Sequence, residues 1–180
     1  AVIYHGKVIV FPGSSLTGKS TIAAYFLKNG GKLITEDTAA IEIRDGKAFV
    51  RSSYPFIKLS KSANDELSFA SSGGIVLPTE KNARMGHLLG KKSFLAKTVP
   101  IDYCFFLDYA DLETIEPIKS SEALPKLLSS SLNIYPLTEI KRRELFHWSA
   151  NLSRCLKIFL FRRRKGIHLS RFLADFIRSN

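Results

Sequence analysis

Gly13-Ser14-Ser15-Leu16-Thr17-Gly18-Lys19-Ser20 satisfies the spacing G-x-x-x-x-G-K-[ST] at every position. Each residue type has a physical reason to be there. Glycines let the backbone wrap so that successive N–H groups point inward and form a nest for phosphate oxygens. Lys19 can reach the β- and γ-phosphates as a point charge, and Ser20 can ligate Mg²⁺. A helix starting at the end of the loop adds its positive terminus. Thr21 falls in the first turn of that helix and belongs to the same candidate set.

The flanks supply the context that this motif requires. Upstream, residues 1–4 and 8–12 are short apolar runs separated by His5-Gly6-Lys7, a tight-hairpin signal that makes His5 a turn residue. Downstream, Ile22, Ala23, Phe26 and Leu27 recur at three- and four-residue spacing, which predicts an amphipathic helix. Asn29-Gly30-Gly31 is its stop. A strand over residues 32–35 follows and delivers Glu36-Asp37 at its C-terminal end. Runs 41–44 and 47–51 flank Asp45-Gly46, a second hairpin signal. The pattern of strand, loop, helix and strand predicts an α/β fold with a mixed, twisted sheet and flanking helices.

Beyond residue 51 the pattern is less regular. Residues 71–74 read as a loop, and Pro78 as the start of a short helix carrying Arg84. A strand is expected over 101–107, and helices over 122–132 and 138–152, the latter capped by Thr138 with Leu145, Trp148 and Leu152 on one face. A short strand over 157–161, a basic loop over 162–166 and a helix over 169–177 complete the chain. With no repeat, linker or low-complexity tract in 180 residues, one domain spanning 1–180 is expected. Position 1 is Ala rather than Met, which is compatible with an N-terminal truncation.

A phosphate site needs an acid to complete it, and two candidates compete. Asp108 ends the apolar run Tyr103-Cys104-Phe105-Phe106-Leu107, in the manner of an ordinary P-loop ATPase. Glu36-Asp37 ends the strand directly after the loop's helix, where a right-handed crossover would return it to the edge of the sheet that carries Gly13.

Charge and composition narrow the partners. The net charge is +11, with basic residues crowding the last quarter: Lys141, Arg142, Arg143, Arg154, Lys157 and then 162–165. Phosphate-rich ligands, nucleic acid or an acidic protein would suit it. No helix-turn-helix, zinc-finger or aromatic RNA-binding pattern accompanies the charge, so most of these residues read as a solvated face. No apolar run approaches the roughly 20 residues of a membrane helix, and no signal peptide is visible. Cys104 and Cys155 lie in apolar contexts without ligand spacing, which suggests buried thiols and a reducing cytoplasm. His87, His147 and His168 have no partner spacing, and Arg84, Lys91 and Lys92 read as surface cations that could approach phosphates.

The segment from Val8 to Ile43 resembles the kinase domain of HPr serine kinase/phosphorylase and its shorter bacterial relatives, within the phosphoenolpyruvate-carboxykinase-like group. The shared parts are the apolar strand Ile9-Val10-Phe11, the loop Gly13 to Ser20, the helix to Gly30, and Leu33-Ile34-Thr35-Glu36-Asp37. The resemblance implies a carboxykinase-like P-loop domain that uses ATP and Mg²⁺ to move a γ-phosphoryl group to a hydroxyl. The acceptor it suggests is a serine of a protein or peptide, with a small-molecule alcohol as the other choice; an assembly of identical copies is compatible with it. Carried over by position, Glu36 stands where the family has an aspartate acting as base, and Asp37 at the second, metal-associated acid alongside Ser20. Arg163 and Arg164 stand near the family's basic phosphate-contacting loop. Glu36 departs from the family pattern, and the family's Arg-Gly signature is not recognisable after the acid pair. Two other readings therefore stay open: a catalytically weak nucleotide-binding regulatory module, and a nucleic-acid-associated ATPase built on Asp108 and the basic C-terminus.

Overall fold

The computed structural model describes residues 1–69, 76–79, 84–131, 138–164 and 170–180. In chain order the elements are β1 (Val2–Tyr4), β2 (Lys7–Val10), α1 (Lys19–Lys28), β3 (Lys32–Leu33), β4 (Ala40–Arg44), β5 (Lys47–Arg51), β6 (Phe56–Ser60) and α2 (Lys61–Leu67). They continue with β7 (Val76–Thr79), β8 (Arg84–Leu88), β9 (Val99–Pro100), β10 (Tyr103–Tyr109), β11 (Thr114–Pro117), α3 (Ser120–Ser130), α4 (Glu139–Cys155), β12 (Lys157–Arg163) and α5 (Ser170–Ser179).

Six strands form a mixed sheet in the order β11-β12-β10-β2-β1-β3. β10 runs parallel to both β2 and β12, while β1 is antiparallel to β2 and to β3. Two reversals leave β3 pointing the same way as β2, with β1 between them. The connection through α1 thus returns the chain to the sheet in the expected direction, one strand farther out than an adjacent crossover. Two smaller sheets, β4-β5-β9 and β6-β8-β7, accompany it.

Side-chain alternation divides the core between the two faces of the large sheet. Ile9, Phe11, Tyr103, Phe105, Leu107 and Phe161 pack with Ile22 and Phe26 of α1, Ala63 and Leu67 of α2, and Leu173 and Ile177 of α5. Val8, Val10, Cys104, Phe106, Ile158 and Leu160 face the other way, against Leu127 of α3, Leu152 of α4, and Ala48 and Val50 of β5. This two-sided burial is why β10 reads as a continuous apolar run rather than an alternating one.

The local signals of the first 51 residues correspond to what forms. His5-Gly6 and Asp45-Gly46 both adopt positive φ at two consecutive residues, as a two-residue hairpin turn with the right-handed strand twist demands. Thr138 caps α4, its side chain accepting from the Lys141 N–H at 3.4 Å. Cys104 is buried, which pushes its thiol pKa up, whereas Cys155 is half-buried.

Three expectations need correction. Pro78 lies in β7 and Arg84 opens β8, so an antiparallel strand pair occupies the place of the expected helix. Arg162 and Arg163 extend β12 rather than starting a loop, because they pair in register with Asp108 and Tyr109. The strand after α1 ends at Leu33, two residues early. The segment 71–74, Leu132, Lys165, Gly166 and His168 lie outside the described residues. Among the described residues, no helix is long and apolar enough to cross a membrane.

Candidate functional site

β2 ends at Val10 and α1 begins at Lys19, so the eight-residue motif spans the gap between a central strand and the helix packed on it. The loop turns through left-handed backbone at Gly13 (φ 129°), Leu16 (φ 70°) and Gly18 (φ 85°). Gly18 directly precedes the helix, and among the described residues no side chain caps that end. Within the loop, Thr17 Oγ1 donates to the Ser14 carbonyl at 3.1 Å, and the Lys19 ammonium donates to the same carbonyl. Lys19 is therefore folded over the loop. Its pKa is lowered by burial, with Asp37 opposing the shift and Arg84 adding to it. A phosphate would relieve that burial cost.

The acid pair meets the loop at Ser20. Its hydroxyl donates to Glu36 Oε1 at 3.1 Å, and the same oxygen accepts from the Lys58 backbone N–H at 3.1 Å. Glu36 Oε2 is buried and makes no hydrogen bond among the described residues. Burial is the main reason the Glu36 pKa is raised, with its hydrogen bond from Lys58 opposing. Asp37 turns outward with φ 37° and takes the Lys58 ammonium at 2.7 Å. Ser20 is therefore hydrogen-bonded to Glu36, the first acid of the pair, while Asp37, the acid expected to share a metal with Ser20, lies next to it in sequence. The buried Thr35 shapes this turn, its hydroxyl bonding the Thr38 carbonyl at 2.7 Å and Ser53 Oγ at 2.9 Å.

Asp108 sits at the C-terminal end of β10, which is parallel to β2, so its strand does open on the same sheet edge. Pleating decides its orientation. Tyr109 shares the α1 face with Leu107, and its hydroxyl lies 3.5 Å from the Leu16 carbonyl. Asp108 takes the opposite face, is exposed, and accepts from the Tyr109 N–H at 2.9 Å.

Arg163 and Arg164 also part company. Arg163 is 3% exposed, and its Nη2 donates to the Thr17 carbonyl at 3.2 Å. The exposed Arg164 donates through Nε to the Asp111 carbonyl. Lys91 and Lys92 are exposed.

A cavity of about 1210 Å³ joins these groups. It is lined by every residue of the proposed set from Gly13 to Thr21 except Thr17, and by Glu36, Asp37 and Arg163. Lys58 and Arg84 line it as well; Arg84 was read from the sequence as a surface cation that could approach phosphates, and Lys58 was not singled out. Lys58 carried no motif. Arg84 carried only its charge.

The donors beside the loop suit magnesium, a hard cation that takes oxygen ligands and is commonly held by one or two carboxylates plus substrate phosphates. Ser20 Oγ, Glu36 with its unpartnered Oε2, and Asp37 are such donors. Among the described residues no cluster of three or more His, Cys, Asp or Glu forms a self-sufficient metal cage.

No family model matches the chain, and no curated protein matches it. Among solved structures the chain is similar to the HPr(Ser) kinase/phosphatase from Coxiella burnetii, with 9% identity and a TM-score of 0.46, covering 99% of this chain and 85% of that one. A likeness of this degree assigns no residue a role.

Proposed function

We propose that this chain is a P-loop phosphotransferase of the carboxykinase-like type, forming one domain over residues 1–180. It would move the γ-phosphoryl group of ATP to a hydroxyl acceptor, a serine of a protein or peptide being the first choice. The observation that carries this reading is the hydrogen bond from Ser20 Oγ to Glu36 Oε1, which joins the phosphate loop to the acid pair.

Each group has a part that its position supports. Loop N–H groups from Gly13 to Thr21 and the Lys19 ammonium would hold the β- and γ-phosphates and neutralise charge as the phosphoryl group moves. Ser20 and Asp37 would supply hydroxyl and carboxylate oxygens to a magnesium ion, which when bound would offset phosphate charge. The acceptor oxygen bonds to the γ-phosphorus as the bridging P–O bond to ADP breaks. Glu36 takes the acceptor's proton, aided by the burial that raises its pKa. Lys58 holds Asp37 in place and puts a cation beside the acid pair.

The deciding experiment incubates the chain with γ-labelled ATP and magnesium, with and without a serine-containing peptide library. Label on a peptide or on the chain itself supports the reading, provided that Lys19→Ala abolishes it. Tight ATP binding without transfer would favour the regulatory module. Hydrolysis that rises only with DNA or RNA would favour the nucleic-acid ATPase.

A further inference from the structure

Arg163 is a charged side chain buried at the end of a strand, an arrangement that persists only when the charge is well engaged. Its engagement is with the loop. Besides the 3.2 Å bond from Nη2 to the Thr17 carbonyl, Nη1 donates to the Arg164 carbonyl at 3.4 Å. The guanidinium carbon also stands 5.0 Å from the centre of the Tyr109 ring. Tyr109 in turn reaches the Leu16 carbonyl through its hydroxyl. The two residues are register partners on the parallel strands β10 and β12, so the sheet presents them side by side. Contact is close enough that a Cβ on Gly18 would lie 2.0 Å from Nη2.

Two consecutive carbonyls of the loop are therefore held from the sheet. Because a peptide unit is planar, the carbonyl of one residue and the N–H of the next point in opposite directions within one rigid plane. Holding the Leu16 and Thr17 carbonyls sets the directions of the Thr17 and Gly18 N–H groups on the far side. We propose that Tyr109 and Arg163 form a strut under the phosphate loop that aims the Thr17 and Gly18 N–H groups at a bound phosphate chain, making Arg163 a positioning residue. The inference rests on the reading of the loop as a nucleoside-triphosphate site. Arginine suits this task because its planar fork can bond a carbonyl and lie on an aromatic ring at once, which a lysine ammonium cannot reproduce.

The test uses the whole chain and the variants Arg163→Met, Arg163→Lys, Arg163→Ala and Tyr109→Phe, with Mg·ATP and inorganic pyrophosphate titrated by calorimetry. Thermal melts establish that each variant is folded. Arg163→Met and Arg163→Lys should both lose about tenfold or more in affinity for either ligand, the scale expected when aligned donors are misplaced. Millimolar guanidinium should restore binding to Arg163→Ala, and methylammonium should not. Wild-type affinity in Arg163→Lys would mean that charge alone acts and would overturn the strut. NMR order parameters of the ligand-free chain give a second measurement. Thr17 and Gly18 N–H vectors should fall from about 0.85 to below about 0.6 in Arg163→Met, and part of the way in Tyr109→Phe. Unchanged values in a folded variant would overturn the proposal even if wild type binds neither ligand, a result that by itself would remove the nucleotide reading. Should the Arg163 variants not fold, Tyr109→Phe decides by the same order parameters.

Discussion

Replacing Gly18 by alanine tests the loop's geometry through two separable costs. The first is backbone: Gly18 holds φ 85° and ψ 16°, where an L-residue with a Cβ pays about 1–2 kcal/mol. The second is collision, because the new methyl would lie 2.0 Å from Arg163 Nη2 and 3.3 Å from its guanidinium carbon. The guanidinium must leave its place and forfeit its bond to the Thr17 carbonyl, worth about 1.5–3 kcal/mol for a charged donor. Gly18→Ala should therefore destabilise the chain by about 2.5–5 kcal/mol, the sum of those two ranges. Arg163→Ala alone should cost about 1.5–3 kcal/mol. In the Arg163→Ala background the collision disappears, so adding Gly18→Ala should cost only the backbone share of about 1–2 kcal/mol. Urea unfolding of the four proteins completes the cycle, with an expected coupling of about 1.5–3 kcal/mol. Additivity to within about 0.5 kcal/mol would refute the contact between Arg163 and the loop.

Three further perturbations address the site. Lys19→Ala should weaken Mg·ATP binding by about 10- to 100-fold in calorimetry, the worth of a charge-assisted bond, while the melting temperature stays near wild type. Equal affinities would remove the loop assignment. Asp37→Asn should abolish magnesium-dependent binding or turnover and Glu36→Gln mainly turnover, whereas Asp108→Asn, exposed and on the opposite face, should change neither. Metal dependence lost only in Asp108→Asn would reverse the choice of acid. Burial raises the Glu36 pKa, so the folded chain binds that proton more tightly than the unfolded chain. The stability this contributes is full below the unfolded value of 4.5 and is lost as pH rises through the raised folded value. Glu36→Gln should therefore melt higher than wild type at pH 8 and level with it near pH 4; an offset independent of pH would contradict the burial.

The residues from Val2 to Arg51 were legible because their determinants are local. A G-x-x-x-x-G-K-S loop, His5-Gly6 and Asp45-Gly46 each demand a backbone conformation that few other sequences tolerate, and the apolar spacing of α1 marks its buried face. The direction of β3 relative to β2 followed from chain handedness. Beyond the motif, Glu36, Asp37 and Arg163 were named from the sequence and line the same cavity, but the neighbours that surround them were not legible, since nothing near those in sequence speaks of the loop. Lys58 reaches the acid pair only because β6 lies beside it, and Arg84 reaches the cavity only through the pairing of β6 with β8. Asp108 and Tyr109 both end an apolar strand, and of the two only the acid was weighed from the sequence, in competition with Glu36-Asp37. Pleating in the folded sheet turns the tyrosine toward the loop and the aspartate away. The same alternation separates Arg163 from Arg162, whose guanidinium bonds Glu116 of β11 instead. Local pattern could determine the loop, but which side chains surround it depends on strand neighbours and registers, and those are set by packing among segments distant in the chain.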